Sequence, residues 1–298
     1  MSSPIDDLHK ILNVEQLPAM PHSALSVLQL DNDVSKVNIN DLVRPIESDP
    51  GLAAQVLKFL NSSYFGFQST ISNIKQGIAL VGIRIVKNFV LWKAVFSLIP
   101  KSGHAGFDVG MLWQDSLRRA MFSRFLLLEL KKGDPEIAFA GALLQDMAIP
   151  ILLKQRKDLY GNVLNKLIQD PTTRLSILEK DGFGWTHAEA AGVLGRSWKL
   201  PALLTTIIEN HLDIEEPLKN FEDHYEQSIV AMSAFLPIGI RPQWNEKEAF
   251  FFHFNTLFPG KSEIVTTLLA KVDREYEQYA AILQLAKPRI ALADYLKG

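Results

Sequence analysis

Residues 139–149 read FAGALLQDMAI, and the adjacent pair Gln145-Asp146 is where side-chain type and spacing approach metal chemistry. A helix carrying adjacent His and Asp gives a divalent cation two anchoring ligands, with further His and Asp residues arriving from other helices. Here Gln offers a neutral amide oxygen in place of a basic imidazole nitrogen, so affinity for a cation should fall steeply. His187 and His211 are also of ligand type. Each of the three has an ordinary structural alternative. Asp146 can cap a helix starting near Ala148, and His187 follows Thr186 at a helix start. His211 falls in the last turn of its helix, where an imidazolium favours the dipole. Taken singly, these structural roles are the preferred reading.

Other chemistries find less support. Arg118, Arg119 and Arg124 lie on one long helix and Arg84, Lys87 and Lys93 on another, and arginine clusters can hold phosphates. Arg118 and Arg119, however, point about 100° apart on a helix, so solvated helix faces explain them better. The chain contains neither G-x-G-x-x-G nor G-x-x-x-x-G-K-[ST]. Ser116 and Ser197 lack the surroundings of a nucleophile elbow. There is no cysteine, which removes disulfides, thiolate ligands and thiol nucleophiles together.

Composition bounds the class. The 298 residues are 47% hydrophobic and 21% charged, which is globular and argues against extensive disorder. Basic and acidic side chains number 14 and 14 in residues 1–150, and 17 and 19 in residues 151–298. Neither part has the positive excess that general nucleic-acid binding needs. MSSPIDDLHK has no apolar signal core. The region 78–99, read as the most apolar, is interrupted by Arg84, Lys87 and Lys93 and should not cross a bilayer. A cytoplasmic location follows as the expectation.

The elements that must position these residues are helices, because apolar residues recur at a period of 3.6 and strand alternation is nearly absent. Pro21 opens one helix. Asn40 is expected to cap a second, bent at Pro45, and Asp49-Pro50 to start a third that stops near Asn61. Ser72 or Asn73 starts the next, which Gly82 closes before a long helix from Ile83 to about Ile99. Pro100 and KSGHAGF (101–107) make the best linker. A helix over 109–130 stops at Gly133, Asp134-Pro135 restarts the chain as far as Asp146, and Thr186 caps 187–198. EAFFFHFNTLF (248–258) carries too many aromatics for one narrow core stripe. The divisions expected are an N-terminal lobe (1–100), a second lobe (101–215) and a C-terminal helical extension (216–298).

Several stretches carry a family resemblance. LPAMPHSALSVL (17–28), ESDPGLAAQVLKFLNSSYFG (47–66) and ISNIKQGIALVGIRIVKNFVL (71–91) precede Trp113-Gln114-Asp115-Ser116, Ala140-Gly141 to Asp146, His187-Ala188-Glu189 and Trp198-Lys199-Leu200-Pro201. In order and spacing, this series resembles the HDOD domain, the HD-related output domain of bacterial signalling proteins, over roughly residues 12–215. The resemblance implies an all-α, multi-helical architecture. It also implies a cation site built from a His on the first long helix, a His-Asp pair and a distal Asp, sometimes with further histidines. By that carry-over Gln114 and Gln145 occupy His positions, and the distal segment SIVAMSAFL offers Ser233 and no carboxylate. Asp146, His187 and His211 survive. The expectation is a residual pocket of Gln114, Gln145, Asp146, His187 and His211, with no catalytic residue, no metal and no cofactor. The chain is read as a non-catalytic signal-transduction module that binds a signalling protein or a small ligand. The alternatives are a metal-dependent phosphohydrolase with altered ligands and a nucleotide-sensing domain with a reduced HD pocket.

Overall fold

The computed structural model describes residues 4–13, 17–30, 36–100, 107–170, 172–283 and 285–297. Among them no β-strand forms, as the 3.6-residue period requires. The first six helices are α1 (Pro4–Leu12), α2 (His22–Leu28), α3 (Ile39–Glu47), α4 (Pro50–Leu60), α5 (Ile74–Val81) and α6 (Ile83–Leu98). Their ends follow side-chain chemistry. Asp49 accepts from the Leu52 amide and from Ser23, and Asn73 accepts from the Gln76 amide. Gly82 joins α5 to α6 at φ +97°, a conformation a Cβ would oppose. One cap differs from expectation. Asn38, not Asn40, starts α3, its side chain accepting from the Asn40 amide. The expected linker falls on 101–106, which lie outside the described residues; Phe107, at its end, is buried.

The central helices are α7 (Val109–Leu130), α8 (Pro135–Leu144), α9 (Ala148–Gln155), α10 (Lys157–Gln169), α11 (Leu175–Phe183), α12 (His187–Ser197) and α13 (Ala202–Glu209). The C-terminal part adds α14 (Glu215–Lys219), α15 (Tyr225–Ser233), α16 (Lys247–Leu257) and α17 (Glu263–Leu283). α7 is the hub: α8, α15 and α17 all pack on it, so nearly its whole circumference is interior. Among the described residues the stretch apolar enough to span a membrane by length and composition is Pro135–Gln155 rather than 78–99, and 89% of its 18-residue apolar window is buried in the core. An element apolar all round is what burial between neighbours demands. α17 lies along α7 and α6 packs on α8, so one continuous core runs through all three sequence divisions.

The NSSYFG segment joins the first helices to this hub. The Asn61 amide donates to the Ile71 carbonyl and accepts from the Ile71 amide, both at 2.7 Å. Gly66 sits at φ +61°, a left-handed turn that favours glycine. Arg124 of α7 reaches the Tyr64 hydroxyl at 3.0 Å and the Glu136 carboxylate at 2.6 Å. In α16 and at its C-terminal cap, Phe250, Phe254 and Phe258 are core residues, while Phe252 remains 69% exposed.

Gly133 supplies a test of how closely these helices approach. It has φ +57°, and a Cβ built there would lie 2.9 Å from the Tyr225 Cβ. Gly133→Ala is therefore expected to lower stability by at least about 1–2 kcal/mol, the cost of a left-handed conformation for an L-residue. Thermal unfolding checks it; an unchanged midpoint would reject the close approach of this turn to α15.

Candidate functional site

α8 ends at Leu144 and α9 begins at Ala148, so Gln145-Asp146-Met147 form the junction between two buried helices. Asp146 does not cap α9, contrary to its ordinary reading. The cap position is Met147, with no side-chain cap bond. The Asp146 carboxylate turns instead to three cationic or basic groups from other helices. Its Oδ2 accepts from Arg119 of α7. Its Oδ1 lies 3.3 Å from His187 Nε2 and 3.6 Å from His211 Nε2.

Local sequence chemistry fixes each imidazole. Thr186 and Glu189 form a reciprocal capping box at the start of α12, which sets His187 in the first turn. A cation at a helix N-terminus opposes the dipole, and here a carboxylate offsets it. Glu179 of α11, fully buried, takes the His187 backbone N–H at 2.9 Å and its Nδ1 at 2.6 Å. The Tyr160 hydroxyl donates to the other Glu179 oxygen. His211 follows α13, and its Nδ1 donates to the Ile208 carbonyl at 2.7 Å, so Nε2 carries the lone pair and has no hydrogen-bond partner.

The charges follow from this packing. Burial opposes ionisation of Asp146, but Arg119 and then His187 outweigh it and hold the carboxyl well below its usual range. Burial likewise opposes charge on His187, yet Glu179 and Asp146 lift it to about 10. His187 is thus an imidazolium clasped by two carboxylates. Burial pushes His211 below its ordinary value despite the Asp146 contact, so it is neutral, and the dipole-stabilised imidazolium expected there does not form. Asp115 of α7 accepts the Gly239 amide on both oxygens, at 3.0 and 2.9 Å. Burial raises it to about 6 against the pull of Arg119, Gly239 and Arg118.

These groups line a cavity of about 90 Å³ together with Arg174, Arg241 and Glu246. Of the five residues expected in a residual pocket, Asp146, His187 and His211 converge. Gln114 and Gln145 are buried but line no part of the cavity. On α7 the residues that face it are Leu112, Asp115 and Arg119, at successive turns of one face, with Asp115 about 100° from Gln114. Both amide atoms of Gln145 lack a partner. Ser233 spends its hydroxyl on the Val230 carbonyl. Arg118 and Arg119 are not on solvated faces: both are buried, Arg118 donating to the Ile290 carbonyl. Sequence reasoning missed Asp115, Arg119, Glu179, Arg174, Arg241 and Glu246 as site residues. The i, i+4 spacing of Asp115 and Arg119 was the one local signal available.

Spacing and charge disagree about a metal. The ligand-type atoms of Asp146, His187 and His211 all lie within 4.8 Å of one another. Both Nδ1 atoms are backed by acceptors, the usual support of a metal-bound imidazole. Against this, Arg119 already neutralises Asp146, and Glu179 and Asp146 flank His187 with negative charge that favours its protonated form, which a cation would have to displace. The two unpaired amide atoms of Gln145 point to no fourth ligand in the cavity. Asp146, His187 and His211 make a candidate triad, with Arg119 on one carboxylate oxygen and no ligand from Gln114 or Gln145 lining the cavity.

Comparison with known proteins places the chain. Residues 17–214 match the HDOD domain model. An HDOD domain protein of Geobacter sulfurreducens, of unknown function, is 19% identical with a TM-score of 0.72 over 93% of this chain and 99% of its own. A Marinobacter aquaeolei VT8 protein provisionally assigned to signal transduction is 18% identical, TM-score 0.71, over 94% of this chain and 66% of its own. A Shewanella amazonensis SB2B protein provisionally assigned as a phosphohydrolase is 20% identical, TM-score 0.61, over 97% and 98%. At these identities the likeness establishes the fold. Among curated proteins, an uncharacterised protein of Treponema pallidum is 23% identical over 236 residues, 76% of this chain and 43% of its own length. YuxH of Bacillus subtilis is 35% identical over 82 residues, 27% of this chain and 20% of its own length. The chain spans less than half the length of these two curated relatives.

Proposed function

The chain belongs to the HDOD domain family, and we propose that it serves there as a non-catalytic regulatory module of bacterial signal transduction, acting in the cytoplasm by binding a signalling protein or a small ligand. The Arg119–Asp146 ion pair carries this reading. In a hydrolase that carboxylate would anchor the cation that polarises phosphate and activates water; here a guanidinium holds it. His187, Asp146 and His211 are at most 4% exposed, so approach to them is restricted. The cavity of about 90 Å³ is well below the roughly 300–1,000 Å³ of ordinary small-molecule sites. A whole nucleotide therefore does not fit, which weighs against the nucleotide-sensing alternative.

The convergence of Asp146, His187 and His211 favours the second reading, a phosphohydrolase with altered ligands. The two readings separate on activity. The purified chain is expected to hydrolyse neither phosphomonoesters nor cyclic dinucleotides with added Mg²⁺ or Mn²⁺, and to contain less than stoichiometric divalent metal. Turnover abolished by a chelator and by Asp146→Ala would reject the binding-module reading and establish the enzyme.

A further inference from the structure

The cavity holds cationic groups whose hydrogen-bonding capacity is not used. A guanidinium presents five N–H donors. Arg119 spends Nη1 on Asp146, and its Nε has no partner. Arg241 spends Nη2 on the Thr173 carbonyl at 2.9 Å, and its Nε is likewise unpaired. Arg174 pairs through Nε with Glu246 at 2.7 Å, with its guanidinium 4.4 Å from the Phe235 ring centroid. Arg119 and Arg241 are more than nine-tenths buried. Burying N–H donors without an acceptor costs about 1–3 kcal/mol each, and more when they are charged. Arg119 repels Arg174 and Arg174 repels Arg241, with Glu246 pulling the other way on both. Burial first, and then Arg119, depresses Arg174; burial, and in smaller part Arg174, depresses Arg241.

Arg241 is placed by parts of the chain beyond the matched family region. It lies between α15 and α16, and its backbone carbonyl accepts the buried Tyr295 hydroxyl at 3.0 Å. Lys247, where α16 begins, donates to the Leu296 carbonyl at 3.1 Å. The Asp115 clasp on Gly239 holds the same connection from the other side. The C-terminal residues thus deliver a third arginine to a cavity that α7 and the approach to α11 supply with two.

We infer that this cavity is a binding site for a small tetrahedral oxyanion, with inorganic phosphate as the representative ligand, held by Arg119, Arg174 and Arg241. This rests on the binding-module reading and names the ligand class of its pocket. Guanidinium forks match tetrahedral oxygens in geometry and charge. A volume of about 90 Å³ is roughly six times the 10–15 Å³ needed by one water. It admits a free anion and excludes a bulky ester.

The test is calorimetric titration of the full-length chain with sodium phosphate, at ionic strength balanced with chloride. Saturable one-to-one binding is expected. Arg241→Gln and, separately, Arg174→Gln should each weaken it at least tenfold, with circular dichroism verifying that each variant is folded. Arg174 is only partly buried, so its variant keeps the test open if Arg241→Gln does not fold. AMP, which carries the same phosphate on a nucleoside, is expected not to bind; AMP binding as tight as phosphate would overturn the free-anion assignment. Absence of phosphate binding, or binding unchanged in both variants, would mean that water alone fills the cavity. Hydrolytic turnover would sink the binding-module reading while leaving the anion site standing. Absence of both turnover and binding would remove only the anion site.

Discussion

Asp146→Ala is expected to destabilise the protein by about 3–5 kcal/mol, the usual cost of removing one partner from a buried ion pair. The carboxylate lies between buried Arg119 and His187, and its loss leaves a guanidinium and an imidazolium without their shared counter-charge. A natural domain has only about 5–15 kcal/mol of stability in total, so the variant should unfold at much lower urea, with the m-value unchanged. Replacing both partners, in Asp146→Ala/Arg119→Met, should recover much of the loss, because an apolar pair has no charge to leave unpaired. A loss under about 1 kcal/mol in the single variant would argue that Asp146 is not the hub of a closed ion-pair network.

Stability should also fall as pH rises from about 6.5 to 10, by an amount on the order of 5 kcal/mol at 1.36 kcal/mol per pKa unit. His187 is the cause. Burial opposes its charge, but Glu179 and Asp146 raise it to about 10. Its contribution is therefore fully present below the ordinary value of 6.5 and lost as pH climbs through 10. Asp146 acts at the other end. Held below its usual range, it stabilises fully above 3.8 and loses that contribution as pH falls further. Asp115, raised to about 6 by burial, favours the folded state below 3.8 and loses that advantage as pH rises through 6. Together these three groups favour a maximum at about pH 4, with a first decline as Asp115 ionises through 6 and a larger one as His187 loses its proton towards 10. Urea titrations across pH 5 to 10 read the alkaline limb, and His187→Gln should flatten it. An equally steep limb in the variant would assign the effect to another group.

How much of this was legible depended on range. Helix ends were readable because caps are local: Asp49, Asn73, Asp134 and Thr186 each bond within three residues of themselves. The start of α3 was missed by two residues because Asn38 and Asn40 are equivalent as sequence and only the backbone path selects one. Arg118 and Arg119 were misread for a different reason. A helix that presents charges in several directions reads as solvated, but α8, α15 and α17 surround α7, and Asp146 after α8 and Ile290 after α17 supply the partners. The error at Gln114 was one of angle: a shift of one residue rotates the side chain by about 100°, and it is Asp115 that faces the cavity.

By itself the sequence determined the all-helical class and most helix limits, since periodicity and capping are properties of the chain; that Asp146, His187 and His211 should meet was implied by the family resemblance alone. Tertiary structure alone decided what that convergence became. Arg119 comes from α7, distant in sequence, and Glu179 from the helix just before α12, folded back onto it; their charges favour the protonated form of His187 and neutralise Asp146. Arg241 reaches the same cavity from a connection held by Tyr295 near the C-terminus. Coulombic interaction depends on distance in space and on burial, and neither is written in the order of residues.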